Sequence, residues 1–192
     1  MKKNFVLIAA VVMLAMAFTA SAQKAPADFS GTWSLDLAKS KLSDREKATI
    51  ESQTWTVTQG ASDIKIEPST KRMAPPAGGP PAGGPPPGGG GGGRGGFGGG
   101  GGDVPMTFAL GKKTTVDQQF GQNTIPVEMG AKWDGAKLVL TTSRTFSGPQ
   151  GEITSTTKET WELGADGKSL TVKRESNTPR GSESSTKVFT KS

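Results

Sequence analysis

The chain has 192 residues, a formal net charge of +6, and no cysteine, histidine or tyrosine. Thiol catalysis, Ser-His hydrolysis, disulfide stapling and His/Cys metal sites are excluded, because the groups that perform this chemistry are missing. The positive balance is mild and demands no polyanionic partner, since adjacent basic pairs after Lys2-Lys3 occur only at Lys71-Arg72, Lys112-Lys113 and Lys173-Arg174.

Met1–Ala22 reads as an export leader. Lys2 and Lys3 supply the positive start, Phe5 to Phe18 the apolar run, and Ala20-Ser21-Ala22 the small residues before a cut at Gln23. Losing the leader lowers the formal charge from +6 to +4. A periplasmic or secreted protein is expected, with no lipid anchor, because no cysteine stands at the cut. After Ala22 no apolar run approaches the roughly 20 residues of a membrane-spanning helix.

The first mature element, Gly31 to Leu37, alternates so that Trp33, Leu35 and Leu37 share a face. Ala38 to Thr49 is the single helical candidate, polar and worth one or two turns. Thr54 to Thr58 sets Trp55 with Val57, and Asp63 to Glu67 sets Ile64 with Ile66. Met73 to Gly102 then breaks the pattern: from Ala74 onward it holds 17 Gly and 7 Pro, with Arg94 its one charge. Such a stretch cannot bury enough apolar surface to offset its ordering entropy, so a disordered loop inserted in one domain (residues 23–192) is expected. Neither a phosphate loop nor an RNA-binding tail is read from it. Gly88 to Gly93 lacks the closing Lys-Ser/Thr, and Arg94-Gly-Gly-Phe97 is one copy only.

Beyond the insert, Ile125, Val127, Met129, Ala131 and Trp133 share one parity, and Asp134-Gly135 marks a tight turn. Lys137 to Phe146 puts Leu138, Leu140 and Phe146 on one side, and Ile153 to Leu163 does so for Ile153, Trp161 and Leu163. Asp166-Gly167 marks the next hairpin, Leu170 and Val172 lead the following strand, and Asn177 to Gly181 is expected to be a longer turn. Ser185 to Lys191 closes the chain with Val188 and Phe189. Eight to ten strands joined by hairpins predict an all-β protein, an antiparallel barrel that removes its own exposed edges.

Gly31-Thr32-Trp33 resembles the Gly-x-Trp signature of lipocalin-like barrels. With Asp28-Phe29-Ser30, Lys132-Trp133-Asp134-Gly135, Ala165 to Val172 and Lys187-Val188-Phe189, the chain is similar to small exported bacterial lipocalin-like proteins of uncharacterised function. The second lipocalin signature, Thr-Asp-Tyr, has no counterpart. The resemblance implies an up-and-down barrel whose Trp33 plugs the closed end beneath a basic side chain. Arg174, sharing parity with Leu170 and Val172, is the first candidate for that cation, and Arg144 the second.

The inner faces are less apolar than a packed core requires. Thr142 and Arg144 interrupt one strand; Ser155, Thr157 and Glu159 interrupt the next. Two readings stay open: these residues line a wet cavity, or the strands twist and expose that end. In a cavity, Trp55, Trp133 and Trp161 would be aromatic walls and Arg144 and Glu159 the polar groups, though each Trp also suits a core. For carboxylate catalysis, Glu159 and Glu162 lie on opposite strand faces, and Glu128 meets Glu159 only if folding brings them together. Spacing for a calcium loop is absent.

The expected function is non-catalytic binding of a small, partly apolar ligand, with no cofactor, metal or nucleic acid. The alternative is a structural or interaction module of the cell envelope. Its barrel would be solid and its loop would engage a protein or cell-wall partner.

Overall fold

Alternating apolar residues need a partner on each side to satisfy their backbone groups, and in the computed structural model they find it in one continuous antiparallel sheet. Residues 26–74, 103–120, 123–148, 151–179 and 181–192 are described. The leader and the Gly/Pro segment from residue 75 to 102 lie outside the described residues. The strands are β1 (Gly31–Leu35), β2 (Ile50–Gln59), β3 (Asp63–Arg72), β4 (Met106–Ala109), β5 (Lys113–Phe120), β6 (Asn123–Asp134), β7 (Lys137–Gly148), β8 (Gly151–Leu163), β9 (Ser169–Thr178) and β10 (Gly181–Lys191), with one helix, α1 (Asp44–Thr49).

Sheet order is β4-β3-β2-β1-β10-β9-β8-β7-β6-β5. Every neighbour pair is consecutive in sequence except β1–β10, which joins the two ends of the chain. Just past β4, the edge strand at one end, a bridge runs from Leu110 to Ala131 of β6, and the Gly111 N–H donates to the Ala131 carbonyl at 2.7 Å. The result is the expected lipocalin-like plan, an up-and-down barrel that is nearly closed. Gly135 and Gly167 take φ of 61° and 63°, the left-handed conformation that the two Asp-Gly hairpins require.

Several local features depart from expectation, among them Leu37, which lies beyond β1, and Ile153, near the start of β8, both exposed rather than turned to the core. The helix is shorter than the Ala38–Thr49 stretch and begins only at Ser43. There a capping box forms: the Ser43 hydroxyl accepts from the Glu46 N–H and the Glu46 carboxylate from the Ser43 N–H. The span Asn177 to Gly181 is not a long turn, since Asn177 pairs with Ser182 and Thr178 with Gly181. Strands β4 and β5 had no sequence counterpart, because Lys113–Phe120 (KTTVDQQF) carries Val116 and Phe120 as its only apolar residues.

The core fills one half of the barrel. Phe29, Trp33, Trp161, Phe189, Leu138 and Leu170 are wholly buried. Trp33 is fixed by its indole N–H, which donates to the Phe29 carbonyl at 2.8 Å. Each large ring removes on the order of 150–250 Å² from water, so this half supplies most of the hydrophobic stabilisation.

Candidate functional site

The inner faces of β7 to β10 change character along their length, and the register shows where. Leu138, Trp161 and Val172 are lateral neighbours in the apolar half. Toward the other end, Leu140 lies beside Glu159, Glu159 beside Arg174, and Arg174 beside Ser185. Further on, Thr142, Thr157 and Ser176 align, and Arg144 lies between Val127 and Ser155. Thr142, Arg144, Ser155, Thr157, Glu159, Arg174 and Ser176 are all half-buried, so solvent reaches this part of the inner face.

Trp55 and Trp161 stack at 5.2 Å between centroids, and Trp55 packs on Phe189 at 4.3 Å. The Trp161 indole N–H reaches toward the polar half and donates to Glu159 Oε2 at 3.1 Å. The Trp55 indole nitrogen is buried with no hydrogen-bond partner among the described residues. Burial lowers the tendency of the Arg144 guanidinium to hold its proton, and the nearby Arg174 charge adds to this. In this polar half Arg144 and Arg174 stand on the inner face with Glu159.

Of the sequence-predicted residues, Trp55, Trp161 and Glu159 form one connected group, and Arg144 and Arg174 lie within electrostatic range of each other. Trp133 stands apart from the Trp55–Trp161 stack: it stacks on Phe29 at 6.0 Å, and Phe29 meets Trp161 edge-on at 5.7 Å. The pairing of Trp33 with Arg174 is corrected. Lys191 lies over the Trp33 ring at 5.2 Å, because the β1–β10 register sets Trp33 directly beside Lys191, while Arg174 sits a strand away between Glu159 and Ser185. Arg144, the second candidate, faces Val127 and Ser155.

Glu128 and Glu159 occupy opposite faces. Glu128 points outward and pairs with Lys113 at 2.6 Å, so folding does not bring the two carboxylates together.

Two features escaped the sequence reading. Lys187 shares parity with Phe189 and so turns into the barrel, where it is 6 % exposed. It forms an ion pair with Glu46 of α1 and a hydrogen bond to Gln53 of β2, both at 3.1 Å. That parity was the available signal. The second is a polar groove of about 440 Å³ across β5–β9, its lining including Lys113, Glu128, Thr141, Lys158, Glu175 and Asn177. Among the described residues no group of three or more acidic side chains could hold a metal ion. No helix in them is long and apolar enough to cross a membrane.

No protein-family model and no curated protein matches the chain. Among solved structures, the barrel is similar to the zebrafish ileal bile acid-binding protein complexed with cholic acid. The two share 12% identity over 85% of this chain and 98% of that one, at a TM-score of 0.46.

Proposed function

We propose that the protein is an exported, non-catalytic binder of a small, partly apolar molecule carrying an anionic end. The observation that carries this reading is the division of the inner face: the stacked Trp55–Trp161 layer adjoins a half-buried zone in which Arg144 and Arg174 outnumber Glu159. An apolar body would lie against the indoles, and an anion would neutralise cations that repel one another. A ligand anion seated there would offset the repulsion between the two cations.

The test is a fluorescence titration of the mature protein with dodecyl sulfate, dodecanoate and dodecanol. Quenching of Trp emission by the two anions at concentrations well below their micellar range supports the reading. Equal or absent responses to all three would contradict it. Export is tested separately: the N-terminal sequence of protein recovered outside the cytoplasm should start at Gln23.

The second reading, an envelope interaction module, draws on the outer groove, whose mixed Lys, Glu and Thr lining suits a polar partner. Substituting Lys158 and Glu175 together would abolish partner capture under that reading and leave ligand titrations unchanged.

A further inference from the structure

A sheet that is not fully closed leaves two edges, and here they are unequal. β4, at one end of the strand order, is four residues long and leads straight into the bridge to β6. β5, at the other end, runs for eight residues and pairs with β6 alone. On its far side every second residue presents an N–H and a C=O, and among the described residues no backbone group meets them. Folded proteins blunt such an edge with proline, a bulge, added lysines or a very short strand. Lys113–Phe120 has no proline, a single lysine and an unbroken register with β6.

Two side chains show what the edge lacks. Val116 turns to the inner face beside Val127, which is wholly buried, yet Val116 is 39 % exposed. The wall is thus incomplete at β5, and the lateral row that ends there, Ser155, Arg144, Val127 and Val116, belongs to the polar zone. On the outer face, Lys113 pairs with Glu128, whereas the exposed Asp117 has no ion-pair partner among the described residues.

A second β5 would supply both. Opposed residues of an antiparallel pair face the same side of the sheet, so a two-fold axis at this edge must set one residue opposite itself. An axis at Lys113 or at Asp117 sets like charges opposite each other. An axis at Thr115 sets Lys113 opposite Asp117 of the second copy, and does so twice. On the inner face it sets Val116 opposite Thr114 of the second copy, which extends the row that begins at Arg144.

We propose that β5 pairs with β5 of a second copy, antiparallel about Thr115, in a two-fold dimer where each copy completes the other's barrel wall beside the polar zone. The pairing stands independently of the binding function proposed above. Its ladder joins only residues 113–117 of each copy, so the dimer is weak, with a Kd on the order of 10–100 µM.

The test is sedimentation equilibrium of the full mature chain from about 5 to about 500 µM, a span that brackets this affinity. The mass should rise to twice that of the monomer. Asp117→Lys sets lysine opposite lysine twice and should weaken dimerisation at least about tenfold. Lys113→Glu combined with Asp117→Lys reverses both charges and should restore it to within about threefold of wild type. Because the chain has no cysteine, Thr115→Cys places a single thiol at the axis. Opposed Cα atoms there stand about 4.5–5.5 Å apart, within disulfide reach. This variant should cross-link under mild oxidation, and Ser182→Cys, exposed on β10, should not. A wild type that stays monomeric, or a Thr115→Cys that cross-links no faster than Ser182→Cys, would overturn the proposal. A dimer indifferent to Asp117→Lys, or not recovered by the double reversal, would place the contact elsewhere and overturn it as well. A complex whose mass is not a multiple of the chain's own would put another protein's strand on the edge, against the second copy.

Discussion

The indole of Trp161 donates its N–H to Glu159 Oε2 at 3.1 Å, linking the apolar half of the barrel to the polar half along a single strand. Glu159 is the register neighbour of Arg174 on the next strand, at the boundary where an amphipathic ligand would change character.

Glu159 is the inner carboxylate nearest the arginines, so its neutralisation should favour an anionic ligand. Glu159→Gln is expected to tighten dodecanoate binding about three- to tenfold, the order of one partly screened charge, while dodecanol binding stays level. Isothermal titration of both ligands checks the sign. Weaker dodecanoate binding would mean that Glu159 positions the ligand rather than repels it.

Arg144 pays for its burial and for its proximity to Arg174. Arg144→Met should raise stability by up to about 1 kcal/mol while weakening anionic amphiphiles about tenfold, the trade expected where a site is built at the expense of the fold. Urea unfolding midpoints and titration of the same preparation decide it. A fall in both quantities would contradict the like-charge account.

Trp33 and Trp55 separate the worth of a ring from the worth of its N–H. Both are buried, but Trp33 donates to the Phe29 carbonyl and Trp55 donates to nothing among the described residues. Replacing either by Phe removes the same volume. Trp33→Phe should therefore cost about 1–2 kcal/mol more than Trp55→Phe, because it strands a buried acceptor while Trp55→Phe relieves a buried donor. Equal losses in chemical denaturation would refute this.

Burial alone would raise the Glu46 carboxyl, but the Lys187 ammonium and the Ser43 hydrogen bonds outweigh it and hold it below its ordinary 4.5. Of the other charges near α1, Asp44 and Lys47 pair at 3.6 Å, and Glu51 pairs with Lys71. A carboxyl that is more acidic in the fold stabilises it above its unfolded value. Its contribution is lost as pH falls through the lower, folded value. Wild type should therefore lose more stability below pH 4.5 than Glu46→Gln does. The carboxyls of Asp28, Asp36 and Asp166 are also held low, but both proteins carry them, so the difference isolates Glu46. Parallel pH profiles of the two would show that the Glu46–Lys187 ion pair contributes nothing.

Strand identity and facing were legible because period-two alternation is local: any strand with Trp33, Trp55, Leu138 or Trp161 at one parity turns those side chains to one side. The same rule turned Arg144, Glu159 and Arg174 inward, and the Asp-Gly pairs declared their hairpins through a backbone conformation few residues adopt. The alternation falls silent where a strand is polar on both faces, and so β5 was invisible. It also says nothing of which residue stands beside which, since that depends on register, turn length and closure of the chain on itself. Only the closing of β1 on β10 brought Lys191 to Trp33, and only the folding of α1 against β10 brought Glu46 to Lys187, 141 positions away. Facing is a property of one strand, whereas partnership belongs to the assembled barrel.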